Sequence, residues 1–311
     1  MKEKVKDIND AKKGAINKIK TKAVAVIKGI NEKIKKVKPD DDLNINSVSN
    51  FEKIDEKIKS FNPKIALILG SGFEKLLVLE KKFTVSYEEY GLKYKNVEGH
   101  KREFVFGYFN KIPVMLASRV HYYESGDTKQ IIEFYKTLYN IGIRTVLATT
   151  AVGGINKKFK AGDIMLIKSH INMSGTNPLI GLQPIRFLDL SDAYDKKLRF
   201  IVKDIAKQKK IKIWEGVHMQ VSGPTYETPA EIVAFRNLGA DTISMSTVLD
   251  CICANYFGIK FIAFAGITNK ATTEDSKPLT HKEVVETGTL ISEKLKIIVK
   301  EFLSSVYNNK L

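Results

Sequence analysis

Cysteine is almost missing from this chain of 311 residues: only Cys251 and Cys253 occur, two positions apart in an apolar stretch. Residues at that spacing seldom bridge, so no disulfide framework exists, and reduced core thiols in a reducing, cytoplasmic compartment are expected. No apolar run reaches the roughly 20 residues of a membrane span, and the N-terminus has no uninterrupted apolar segment of signal-peptide type. No histidine–carboxylate spacing matches a zinc site, and no serine elbow of the hydrolase kind occurs. Clusters of arginine interleaved with aromatics are also lacking after residue 45. A sequence-reading nucleic-acid surface is therefore not expected there.

Positive charge, by contrast, is abundant, with a formal net charge of +16. Residues 1–38 hold thirteen lysines against Glu3, Asp7, Asp10 and Glu32, a surplus of nine in the first eighth of the chain. Within it Val5, Ile8, Ala15, Ile19, Ala23, Val26, Ile30, Ile34 and Val37 recur mostly every three or four positions. That spacing predicts an amphipathic helix with lysine-rich faces, suited to an anionic membrane, nucleic acid, a partner or the chain's own body. A solubilising appendage accounts for it equally. Residues 1–45 are read as this leader and 46–311 as one globular domain, with Leu43–Asn50 as linker.

Downstream, short apolar runs alternate with amphipathic segments. Helices are expected over Phe51–Phe61, Lys129–Tyr139, Lys196–Lys209, Pro229–Leu238 and His281–Phe302. Strands are expected over Ile65–Leu69, Ile112–Ala117, Thr145–Ala148, Asp163–Lys168, His218–Val221 and Ile259–Ala265. Such alternation with short connections predicts an α/β layer architecture, in which strand ends collect ligand groups at one rim.

Several polar residues fall at those strand ends. Gly70-Ser71-Gly72 follows a buried strand and can offer amides and a hydroxyl to phosphate; a tight turn explains it nearly as well. It is neither a dinucleotide fingerprint nor a triphosphate loop. Arg119, His121 and Tyr123 share one face of an extended stretch, and arginine supplies a fixed fork of donors for phosphate. An exposed cationic strand is the alternative. Small residues at Thr150–Gly154 allow close ligand approach, and Ser246 adds a hydroxyl. Asn269 can donate and accept toward a heterocycle, or cap a turn. The stretch from Val221 to Glu231 breaks at Gly223-Pro224 and presents Thr225, Tyr226 and Glu227, either to a ligand or as a loop with Glu227 starting a helix. His100 and His281 are isolated; His281 can equally occupy a helix first turn.

Ten segments in register make the chain from about Phe51 onward similar to the trimeric type of purine nucleoside phosphorylase. They are Leu69–Gly72, Gly99-His100, Arg119–Glu124, Ala151–Gly154, Gly162–Asn172, Ser191–Asp195, Gly223–Glu227, Met245–Val248, Ile267–Lys270 and His281–Val284. The resemblance implies a single-domain fold with a central mixed, twisted, partly barrel-like sheet flanked by helices, and a homotrimer. It implies that Ser71, Arg119, His121, the Ala151 amide and Ser246 hold inorganic phosphate, with His100 in a covering loop. Tyr123, Met245 and His281 would hold the ribose, with His218 where the family usually has a tyrosine. Tyr226, Glu227, Asn269, Ala151 and Ile243 would surround the purine.

The implied reaction is reversible phosphorolysis of the N-glycosidic bond of 6-oxopurine nucleosides and deoxynucleosides, with His121, Glu227, Asn269 and His281 as catalytic residues. Positive charge builds on the sugar and negative charge on the departing purine. Asn269 would meet charge at N7 and Glu227 would accept the N1 proton, contacts that strengthen toward the transition state. Phosphate is nucleophile and co-substrate, so no metal or organic cofactor is implied. Methylthioadenosine phosphorylases are also similar but typically carry an aspartate pair at the base-binding strand end, so Asn269 favours the 6-oxopurine. A nucleoside-binding protein without turnover is the remaining alternative. Three departures stand out: His218, Ser244 in place of a glycine, and a shortened loop from Asn177 to Phe187, where Phe187 is a weak match to a phenylalanine that reaches a neighbouring subunit's sugar.

Overall fold

The computed structural model describes residues 45–92, 94, 102–271 and 281–308, leaving the lysine-rich leader and His100 outside the described residues. The chain divides into two units, Met1–Glu52 and Lys53–Leu311. The first described helix, α1, spans Ile45–Phe61. The linker expected over Leu43–Asn50 is thus helical from Ile45 onward, because nothing between Asn46 and Phe61 is a glycine or proline that would stop it.

Nine strands follow: β1 (Ile65–Leu69), β2 (Glu80–Ser86), β3 (Glu103–Phe109), β4 (Ile112–Ser118), β5 (Thr145–Gly154), β6 (Ile164–Met173), β7 (Trp214–Val221), β8 (Thr242–Ser244) and β9 (Lys260–Lys270). The helices between and after them are α2 (Tyr122–Ser125), α3 (Lys129–Ile141), α4 (Lys196–Gln208), α5 (Pro229–Asn237), α6 (Val248–Tyr256) and α7 (His281–Asn308).

One sheet carries all nine strands in the order β2-β3-β4-β1-β5-β8-β7-β6-β9, and β5 also pairs with β9. That extra pairing closes β5, β8, β7, β6 and β9 into a ring, while β4, β1 and the antiparallel β2–β3 ribbon extend from it. The mixed character is plain: β1 is parallel to β4 and β5, whereas β5–β8 and β6–β9 are antiparallel. This is the partly barrel-like α/β sheet expected from the resemblance.

Strand pleating separates most of the core into two layers, with a smaller apolar cluster around Met219, Ile232 and Ile243. Along β1, Ala66 and Ile68 face the layer with Phe134, Leu138 and Ile252, and Ile65 and Leu67 face the layer with Leu295, Ile298 and Phe302. Strand β9 divides likewise, Phe261, Ala263 and Ala265 to the first side and Ile262 and Phe264 to the second. Strands buried on both faces read as continuous apolar runs, which is why β1 and β9 were visible in the sequence. The β2–β3 ribbon was not, since its first strand, Glu80–Ser86, is mostly exposed and polar.

Candidate active site

Several strand ends converge on one cavity. It is lined by Gly70 and Ser71 after β1, Arg119, His121 and Tyr123 after β4, Thr150–Gly153 of β5, Tyr226 and Glu227 after β7, Ile243–Ser246 at β8, Thr268 and Asn269 of β9, and Val284 of α7. Sequence reasoning places β5 and β9 too short: β5 continues through Gly153 and Gly154, and β9 runs past Gly266 to Lys270. At Gly154 β5 passes close to β9, and a Cβ there would lie 3.1 Å from Ile267 Cγ2, tighter than ordinary contact. A glycine that admits a neighbouring strand looks, in sequence, like a strand end.

One side of the cavity is built around Arg119. It is not the exposed cation of the alternative reading but is 2 % exposed. Its Nε stands 2.8 Å from Asp250 Oδ2, and Nη1 donates to the Thr149 carbonyl (3.1 Å) and Ser246 Oγ (3.2 Å). Nη2 is buried without a hydrogen-bond partner among the described residues. A guanidinium held by Asp250, the Thr149 carbonyl and Ser246 with Nη2 unspent fits an oxyanion, and an unpaired buried donor is costly without one. Removing either partner of this buried ion pair is expected to cost about 3–5 kcal/mol. Ser246 Oγ also lies 3.3 Å from Thr150 Oγ1.

Beyond Arg119 the chain is not extended as the sequence suggests: Tyr122–Ser125 forms one helical turn with His121 at its N-cap. The turn brings Glu124 back so that its Oε1 is 3.0 Å from His121 Nδ1, and His121 stacks on Tyr123 with ring centroids 4.8 Å apart. Arg102, absent from the sequence-based set, clamps this group by donating to the other Glu124 oxygen and to the Arg119 carbonyl (2.8 Å). Arg102 follows the Gly99-His100 motif by two positions, but no spacing rule flagged it. Asp250 had a signal, being three residues after Thr247 at a helix start, the spacing of a capping carboxylate.

Elsewhere in the lining, Glu227 is partly buried, and burial raises its carboxyl pKa above the usual range. The helix-start role considered for it belongs to Thr228, whose side chain takes the Glu231 amide while Glu231 returns to the Thr228 amide. Asn269 accepts from Thr268 Oγ1 (2.9 Å) and donates to the Lys270 carbonyl (2.9 Å), leaving a second amide N–H. Tyr226 is 44 % exposed at the mouth. Burial pushes the Tyr123 phenol up to about 12, so it is a hydroxyl donor at neutral pH.

Eleven of the fourteen expected site residues therefore line one cavity. The others do not. His218 is fully buried behind Ser244 and Ser246 and is not part of the lining. His100, and the side chain of His281 at the start of α7, lie outside the described residues. Among the described residues no group of three or more histidine, cysteine or acidic side chains is placed to hold a metal ion.

Residues 64–304 match the phosphorylase superfamily. Purine nucleoside phosphorylase 1 of Bacillus subtilis is 39% identical over 242 residues, covering 76% of this chain and 88% of the relative. The chain belongs to the purine nucleoside phosphorylase family. Phosphorolytic cleavage of purine nucleosides is accordingly its reaction. The rat purine nucleoside phosphorylase is 35% identical over 258 residues, 78% of this chain and 89% of the relative. Among solved structures, isoform 2 of the Schistosoma mansoni enzyme, in complex with cytosine and ribose-1-phosphate, superposes with a TM-score of 0.77 at 31% identity, covering 84% of this chain and 96% of that one.

Proposed function

We propose that the substrates are 6-oxopurine ribonucleosides and deoxyribonucleosides, inosine and guanosine above adenosine. The observation that carries this reading is Glu227, a carboxylate lining the cavity on the same rim as Asn269 and raised in pKa by burial. An ionised Glu227 satisfies the N1–H of hypoxanthine or guanine and faces an unpaired acceptor in adenine, a mismatch that hydrogen-bonding pockets punish. In the same reading Ser71, Arg119, His121, Ala151 and Ser246 bind phosphate, Tyr123 and Met245 the ribose, and Tyr226, Ile243 and Asn269 the base.

The departing purine draws its stabilisation from Asn269 at N7 and Glu227 at N1, while phosphate on Arg119 shields and attacks the sugar cation. Solved Schistosoma relatives are complexed with adenosine as well as with inosine and guanosine, so adenosine belongs in the test. Initial rates with inosine, guanosine, adenosine and methylthioadenosine, with and without phosphate, decide it. Phosphate-dependent turnover of inosine and guanosine at least about 100-fold above adenosine is expected. Preference for methylthioadenosine would overturn the role of Asn269.

The working assembly is a homotrimer, supported by the large apolar side chains of Met173, Ile180, Ile185 and Phe187 exposed along one segment. The two cysteines are free and buried, which supports residence in a reducing compartment, the cytoplasm. The lysine-rich leader contacts an anionic surface, supported by its charge and apolar stripe.

A further inference from the structure

Ser246 and Met245 sit on a turn that the backbone does not favour. Thr247, a β-branched residue, has φ of 88° and is fully buried. Such a conformation persists only where its surroundings impose it. From α6, Asp250 accepts the Thr247 amide at 3.2 Å. From β7, Gln220 Oε1 accepts the Val248 and Leu249 amides at 2.7 and 3.1 Å.

His218, also on β7, supplies the remaining hold. Its Nε2 is 3.1 Å from the Ser246 carbonyl and 3.2 Å from Ser244 Oγ, and its Nδ1 is 3.0 Å from Thr242 Oγ1. A carbonyl only accepts, so Nε2 carries the proton and Nδ1 accepts from the Thr242 hydroxyl. Burial lowers the ring's pKa to about 3, which keeps it in this neutral form. Both nitrogens are spent inside the protein, and the ring is 0 % exposed. Neither is available to a sugar hydroxyl.

We propose that His218 is a positioning residue for phosphate, not a ribose contact: it fixes the Ser246 carbonyl and so holds Ser246 Oγ against Arg119 and Thr150. This rests on the reading that Ser246 binds phosphate. The same hold keeps Met245 seated over Gly223, where a side chain in place of the glycine hydrogen would collide with it.

The test is steady-state kinetics with phosphate and inosine varied in turn, on the full chain, His218→Phe, His218→Gln, His218→Asn and Ser246→Ala. His218→Phe removes both hydrogen-bonding nitrogens and should raise KM for phosphate about tenfold, the worth of one good hydrogen bond, with KM for inosine moving less than about twofold. Glutamine places an N–H near the Nε2 position and should restore most of that loss. Asparagine, reaching only toward Nδ1, should not. If the phenylalanine variant does not fold, the glutamine–asparagine pair carries the same contrast. An unchanged phosphate KM in His218→Phe, beside a raised one in Ser246→Ala, overturns the positioning role alone. A raised KM for inosine without one for phosphate also overturns it, by restoring the ribose contact. An unchanged phosphate KM in Ser246→Ala removes the phosphate role of Ser246, and the proposal falls with it.

Discussion

Burial raises the Glu227 carboxyl pKa before any ligand arrives, with nearby Glu231 adding to the shift. A carboxyl whose folded pKa exceeds its unfolded value contributes stability at low pH that is lost as pH rises through the folded pKa. Ionising Glu227 in the ligand-free enzyme therefore places a destabilising charge, which a purine N1–H would relieve. Engaging the ionised form must pull the pKa back down, so base binding in the pH window just above the ordinary carboxyl range should release protons. Calorimetry of hypoxanthine binding in two buffers of different ionisation enthalpy measures this directly. Heats independent of buffer across that window would refute it, and Glu227→Gln should abolish the release while raising the melting temperature at neutral pH. Most of these residues were legible one by one, because arginine, glutamate and asparagine after apolar runs are unusual. Arg102 was not, since its value lies wholly in reaching Glu124 and the Arg119 carbonyl.

At the level of elements, the turn Gly70–Gly72 is placed by a helix more than 200 residues away. Gly72 has φ of 84°, and a Cβ on it would come within 2.8 Å of the Val285 carbonyl on α7. The contact is reciprocal: a Cβ on Gly288 would lie 3.1 Å from both Gly72 Cα and the Ser71 carbonyl. Both neighbours are backbone and cannot rotate aside. Gly288→Ala should therefore displace the Ser71 turn, costing about 1–3 kcal/mol of stability and raising KM for phosphate. Thermal melting and phosphate kinetics check it; a variant unchanged in both would refute the tight packing. Neither glycine announces this in sequence. Gly70-Ser71-Gly72 reads as any strand-end turn, and Gly288 reads as a poor helix residue. The strand lengths are misjudged for a related reason: Gly154 in β5 and Gly266 in β9 make room for the side chains of Ile267 and Phe73, and a glycine in an apolar run reads as its end.

On the scale of the whole molecule, charge and fold are separate matters. Nine of the sixteen surplus positive charges belong to residues 1–38, outside the Lys53–Leu311 unit that bears the cavity. The full chain and a form lacking residues 1–45 should sediment as the same trimer and turn over inosine alike. Only the full chain should float with vesicles containing anionic lipid, an association lost as salt is raised. Equal flotation of both forms would remove that role from the leader. The sequence by itself determined the α/β class, the buried strands β1 and β9, and the identity of most groups on the rim, because burial on both faces and polar residues after apolar runs are local signals. Only the tertiary structure decided that β5 closes onto β9 and that Arg102 clamps Glu124. It also decided that His218 is buried behind Ser244 and Ser246, outside the cavity lining. Each of these depends on atoms brought within about 3 Å across tens to hundreds of residues of chain, and no periodicity records such distances.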